Sequence, residues 1–112
     1  YAGLGMSNLS GSSTYKRLWS SSNLNSWTEE TSMPSNVGNP LCGVVHNDAI
    51  YVLDENGLLW KYDIEKKTWS KKSQIQIDQS GFHCMFSLND HIYIGLGNYS
   101  NLLICYDPYW DN

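Results

Sequence analysis

Three histidines, three cysteines and eleven acidic residues are the groups of this 112-residue chain best able to do chemistry. A zinc site needs three or four such ligands converging, commonly at short local spacing. His83 and Cys84 are adjacent, so strand alternation sends their side chains to opposite faces. Cys42 comes near Cys84 only if two repeated units align, and no fourth ligand is evident. His46, His83 and His91 therefore read as ordinary core or rim residues, and no metal is expected. Asp48, Asp54, Asp63, Asp90 and Asp107 fall mostly in turns, whereas glycoside hydrolysis needs two acids facing each other across about 5–10 Å. The Asn-Asp pairs at 47–48 and 89–90 are better explained as turns, because Asn and Asp bond their own backbone and tolerate left-handed geometry. No Gly-x-Ser-x-Gly elbow and no Gly-x-x-x-x-Gly-Lys phosphate loop is present. Gly3-Leu4-Gly5 and Gly95-Leu96-Gly97 end strands with no helix after them, which makes a nucleotide reading poor. No catalytic residue is assigned, and no cofactor is expected.

The elements that hold these groups announce themselves by repetition. The run Leu41–Val52 returns 42 residues later as His83–Ile94, with Cys, Asn, Asp, Ile and Tyr recurring in place. A repeat of this length built from short alternating strands falls in the range of β-propeller blades. The predicted strands of the best-preserved copy are Leu41–Asn47, Ala49–Asp54, Leu58–Asp63 and Thr68–Ser73. Tight turns lie at Asp54–Gly57, where Gly57 can take positive φ, and at Ile64–Lys67. The following copy has strands at Phe82–Asn89, His91–Gly97 and Leu102–Asp107. The preceding copy begins with Tyr1-Ala2-Gly3-Leu4-Gly5, which matches Tyr93–Gly97, and continues with strands at Tyr15–Ser20 and Ser26–Thr31. The fold class is thus all-β: four-stranded antiparallel blades in an incomplete propeller, with residues 1–35 a partial blade, 36–78 a complete one and 79–112 a second partial one. No helix is needed. Tyr62 precedes Trp69 by seven residues, so the partner of Tyr106 is expected just after Asn112, and the chain is expected to be a piece of something longer.

Composition narrows the partners. Seven basic and eleven acidic residues leave a net charge of −4, without the basic field that nucleic acids or anionic membranes require. No run of about 18 apolar residues predicts a membrane span, and residues 1–20 lack the pattern of a signal peptide. Because the chain begins inside a strand, an upstream leader or domain is expected. Eight tyrosines and five tryptophans suit strands, and at fixed strand positions they read as core. Three cysteines cannot all pair, and Cys42, Cys84 and Cys105 read as small buried residues. A Cys42–Cys84 disulfide would need Cα atoms within about 7 Å, so the redox compartment stays open. The Asn8-Leu9-Ser10 and Asn98-Tyr99-Ser100 sequons carry meaning only in a secretory eukaryote.

Asn47–Val52, then Trp60-Lys61-Tyr62-Asp63 and Thr68-Trp69, resemble a kelch-type repeat, and Asn89–Ile94 with Cys105-Tyr106-Asp107-Pro108 repeats the pattern. The Tyr-Asp turn followed by Trp is its most specific part. The resemblance spans nearly the whole chain. It implies strands running outward from a central channel in chain order, with Tyr62, Trp69 and Tyr106, and more loosely Trp19 and Trp27, packing between blades. Tyr51 and Tyr93 complete the set of structural repeat positions. The family's double glycine after the second strand is absent, replaced by Leu53-Asp54 in one copy and Gly-Leu-Gly in the others. This divergent form is similar to bacterial and extracellular propellers and leans toward an extracellular or periplasmic setting. The Tyr-x-Gly-Leu-Gly form also resembles the propellers of sialic acid (N-acetylneuraminate) epimerases.

Kelch propellers have about five to seven blades, inside the range for propellers generally. The expected partners are therefore the remaining blades or other copies of the chain. The expected function is a non-catalytic binding or scaffold segment that recognises a protein or glycan through its loops: Met6–Thr14, Asn36–Leu41 and Gln79–His83. The alternative is part of a carbohydrate-active propeller enzyme of the epimerase type. The chain's one arginine, Arg17, weighs against it, because sugar acids are commonly held by arginine.

Overall fold

A computed structural model of the chain describes residues 1–3, 16–36, 38–76, 84–95 and 103–110. Within them the protein is all-β, with three antiparallel sheets in an open array. The first sheet has β1 (Ala2–Gly3), β2 (Leu18–Ser20) and β3 (Thr28–Glu29) in that order. The middle sheet is a four-stranded meander of β4 (Pro40–His46), β5 (Ala49–Asp54), β6 (Leu58–Asp63) and β7 (Thr68–Gln74). The last sheet has β8 (Cys84–Leu88), β9 (His91–Gly95) and β10 (Leu103–Tyr106), followed by a single 3₁₀ turn at Pro108–Trp110. The described strands fall inside the predicted spans or within a residue of them. The Met6–Thr14 and Gln79–His83 loops and both sequons lie outside the described residues. No helix among the described residues is long and apolar enough to cross a membrane.

The repeated Asn-Asp pairs explain the hairpins. Asn47 and Asp48 have φ of 46° and 59°, and Asn89 and Asp90 have φ of 49° and 66°. Two left-handed residues between antiparallel strands make a type I′ turn, whose twist matches that of the strands it joins. Gly57 has φ 80° in the next turn, a conformation that disfavours any side chain. Gly3 and Gly95 also lie at positive φ, and a Cβ on Gly3 would strike the Arg17 carbonyl oxygen. At the equivalent place the middle sheet carries Leu53-Asp54 in ordinary strand geometry.

Strand alternation divides β5 between two cores. Ala49, Tyr51 and Leu53 meet Ile92, Ile94 and Tyr106 of the last sheet, with Cys42, Val44 and Met85 alongside. Ile50 and Val52, with Trp60 and Tyr62 from β6, meet Leu18 and Met33 on the other side. Every β5 residue is buried because the middle sheet is covered on both faces. Each large apolar side chain so buried contributes about 1.5–3 kcal/mol. The first strands of the middle and last sheets, β4 and β8, pack against each other across the first of these cores. The opposite face of the last sheet is open: Phe86, Leu88 and Leu103 are exposed, and Phe86 stacks on Tyr93 at 5.2 Å between ring centroids.

Polar contacts lock the first sheet to the middle one. Lys67 Nζ reaches Glu30 Oε2 at 2.8 Å, Ser20 donates to Glu30 Oε1 at 2.9 Å, and Tyr62 Oη donates to Glu30 Oε2 at 3.4 Å. The Lys67 ammonium holds the Glu30 carboxyl below the ordinary carboxylate range; burial opposes this, and Ser20 and Tyr62 reinforce the lowering. Trp69 Nε1 donates to the Thr31 carbonyl at 2.7 Å, and its ring lies 4.9 Å from that of Tyr62. Trp19 pairs with Ala2 and Glu29. By the repeat, that is the register place of Trp60 opposite Val52, two residues short of where Tyr62 and Tyr106 stand. Trp27 precedes β3 and is exposed.

Candidate functional site

A polar cleft of about 500 Å³ lies between the middle and last sheets, where both type I′ turns and the 3₁₀ turn come together. His46, Asn47, Tyr51 and Lys61 line one side, and Asp90, His91, Asp107 and Tyr109 the other. The repeat produces this convergence, because equivalent turns of neighbouring sheets end side by side.

His46 forms the floor, 5% exposed. Its Nδ1 lies 2.6 Å from Ser87 Oγ and its Nε2 lies 3.3 Å from the Asn47 amide nitrogen. An amide nitrogen donates, so Nε2 accepts and Nδ1–H donates to Ser87. Tyr51 packs edge-on against both His46 and Tyr106, each at 6.2 Å. On the opposite wall, His91 Nδ1 donates to the Asn89 carbonyl at 2.9 Å, and Nε2 faces Asp107 Oδ2 at 3.5 Å. That contact becomes an ion pair only when both ring nitrogens carry protons. Asp107 Oδ1 also accepts the Tyr109 backbone N–H at 3.0 Å, which fixes the 3₁₀ turn. This turn presents Tyr109 and Trp110, edge-to-face at 5.1 Å and both largely exposed.

Lys61 enters the cleft because it pairs with Tyr51 in register and so shares its face of the sheet. The arrangement offers amide and ammonium donors, two carboxylates and an aromatic rim. It suits a ligand with hydroxyl groups and an apolar ring face. Both ring nitrogens of His46 are engaged, so it serves as wall rather than base.

A second polar centre is structural. Asp54, 0% exposed, accepts from the backbone N–H of Asn56 at 2.9 Å, Leu58 at 3.0 Å and Gly38 at 3.2 Å, and from Trp60 Nε1 at 3.0 Å. It ties the β5–β6 turn and the link into β4 to the core. Asp63 behaves similarly at the next turn, where the Lys66 backbone N–H, donating at 2.9 Å, holds its carboxyl below the ordinary range.

The cysteines are free. Burial, with the charge of Cys84 nearby, pushes the Cys42 thiol up to about 12. Cys84 Sγ lies 3.5 Å from the Gly95 carbonyl. Cys84 and Cys105 are exposed, contrary to the expectation that all three are buried. Among the described residues no three of His, Cys, Asp and Glu converge, and His83 lies outside them. The sequence-derived structural positions divide in the structure: Tyr51, Tyr62 and Tyr106 are buried, Trp19, Trp69 and Tyr93 half-buried, and Trp27 exposed.

Of the expected functional loops, Asn36–Leu41 sends Pro40 and Leu41 to a separate apolar groove. The cleft is built instead from turn residues that read as purely structural in the sequence. Their common offset in the repeat was the signal that they would meet. No family model matches the chain, and no curated protein matches it significantly.

Proposed function

We propose that the chain is a non-catalytic recognition segment of a kelch-like propeller and that the cleft between its middle and last sheets takes a saccharide. The observation that carries this reading is the convergence of Asn47, Lys61, Asp90, His91 and Asp107 beside exposed Tyr109 in one cleft. Sugars present hydroxyl groups to such donors and acceptors and a C–H face to an aromatic ring. Arg17 pairs with Glu29 at 3.6 Å on the first sheet, so an epimerase-like reading gains no acid-binding arginine in the cleft.

The test is a screen of the labelled 112-residue chain against neutral and acidic glycans, followed by amide-resolved NMR titration with the best mono- or disaccharide. Saturable shifts at Asn47, His91 and Tyr109, weakened at least tenfold by Tyr109→Ala or Lys61→Ala, are expected. Saccharide binding whose shifts avoid the cleft, or no binding across the panel, overturns the reading.

A further inference from the structure

The two walls of the polar cleft carry opposite charge. Lys61 brings an ammonium from the middle sheet, and Asp90 and Asp107 bring carboxylates from the last one. These acids stand at the end of the last sheet where Leu88 pairs with His91 and Tyr106 with Ile92, away from the strand ends at Cys84, Gly95 and Leu103.

His91 gives the acidic wall a defined mismatch. A carbonyl oxygen only accepts, so the 2.9 Å contact with Asn89 places the proton of neutral His91 on Nδ1. Nε2 then carries a lone pair, and it faces Asp107 Oδ2 at 3.5 Å. Two acceptors so placed make no bond with each other. The other oxygen of Asp107 accepts the Tyr109 N–H at 3.0 Å, which keeps Oδ2 turned to the ring. A donor supplied from the cleft completes the pair.

Building on the saccharide reading of this cleft, we infer that it selects a sugar with a free, protonated amino group, seated between His91 Nε2 and Asp107 Oδ2. An ammonium nitrogen about 2.8 Å from both acceptors donates a separate N–H to each. A hydroxyl or an N-acetyl amide has one hydrogen and satisfies only one of them. Asp90 adds negative charge to the same wall, and Lys61 across the cleft meets ring hydroxyl oxygens, so the sugar takes one orientation. Acid reverses the preference. A second imidazole proton makes Nε2 a donor, closes the ion pair with Asp107 and repels the ammonium. The titratable groups sharing the cleft with His91 are Asp107 and Tyr109 beyond β10, Asp90 from its own hairpin, and His46, Tyr51 and Lys61 from the middle sheet. Of these residue types only imidazole ordinarily changes charge between about pH 7 and about pH 5.5, and both ring nitrogens of His46 are already engaged.

The probes are the methyl glycosides of glucosamine and galactosamine, their N-acetyl derivatives and the parent neutral glycosides, each titrated into the isotope-labelled 112-residue chain. At about pH 7 a free amine should bind at least tenfold more tightly than its N-acetyl and neutral counterparts, which occupy the same cleft, and should lose that advantage at about pH 5.5. His91→Phe should remove both the advantage and its pH dependence. Asp107→Asn keeps an oxygen for the Tyr109 N–H and turns an amide donor toward His91, so it should abolish the preference while circular dichroism shows the fold retained. Equal binding of all three forms in the cleft, or an amine preference that survives Asp107→Asn or persists at about pH 5.5, overturns the amino-sugar assignment and leaves the saccharide reading standing. Shifts that avoid the cleft, or no saturable shifts from any probe, overturn both.

Discussion

Asp54→Ala is the substitution that most directly tests the architecture. Asp54 has no exposed surface and accepts four hydrogen bonds, three from backbone N–H groups of Gly38, Asn56 and Leu58 and one from the Trp60 indole. Alanine strands all four donors. A fully buried donor such as the indole costs about 1–3 kcal/mol when left unsatisfied, and the backbone donors nearer the surface cost less because water reaches them. The sum is about 3–5 kcal/mol, the range found when one partner of a buried charged group is removed. A chain of 112 residues has roughly 6–17 kcal/mol in total at 0.05–0.15 kcal/mol per residue. At about 4 °C per kcal/mol the melting midpoint should fall by roughly 12–20 °C. Asp54→Asn separates charge from geometry: it keeps one oxygen for Asn56 and Leu58 but turns an amide donor toward Trp60 and Gly38, so its cost should be intermediate, about 2 kcal/mol. Urea unfolding followed by tryptophan fluorescence and circular dichroism measures both. An alanine cost below about 1 kcal/mol, or an asparagine cost equal to it, refutes the reasoning.

Two further outcomes are expected. Glu30 is held below its unfolded value of about 4.3, so its contribution is present above that pH and is lost as pH falls through the folded value; Lys67 is raised above about 10.4, so its contribution is complete below that pH and is lost as pH rises through the folded value. The stability gap between the native chain and Lys67→Met should therefore be flat from about pH 6 to 9 and narrow toward both extremes, and a gap that widens toward pH 3 contradicts the assignment. For the cysteines, a Cys42 thiol at about 12 against an ordinary 9.0 carries roughly a thousandfold less thiolate at neutral pH; mass spectrometry of iodoacetamide-treated protein should find exposed Cys84 and Cys105 modified well before Cys42, and equal labelling would show that the β4 side chain is not held against the last sheet.

The strands and hairpins were legible because their signals are local. Alternation along Ala49–Asp54 and the paired Asn-Asp turns state strand, face and turn type within a few residues. Glu30 was not legible, because its partner Lys67 lies 37 positions away and nothing local marks a carboxylate that will be covered by another sheet. Asp54 read as a turn residue, which it is, but its bond to Gly38 spans 16 positions and turns that carboxylate into a core group. Trp19 shows the limit of aligning copies by residue type: backbone register sets it opposite Ala2, in the place of Trp60 rather than Tyr62. The cleft stands between these cases. Each of its turns could be read alone, but their adjacency exists only once two sheets are stacked.

The open face of the last sheet gives the array a direction. Residue for residue it repeats the face that the middle sheet turns toward it: Cys84 for Cys42, Phe86 for Val44 and Tyr93 for Tyr51. The opposite end presents a different surface, built from Ala2, Trp19 and Glu29. Two copies related by a two-fold axis would set like faces together and reproduce neither packed interface. A neighbour that repeated the packed interfaces at either end would therefore meet it heterologously, and the rotation from one sheet to the next would decide whether such stacking closes on itself or continues.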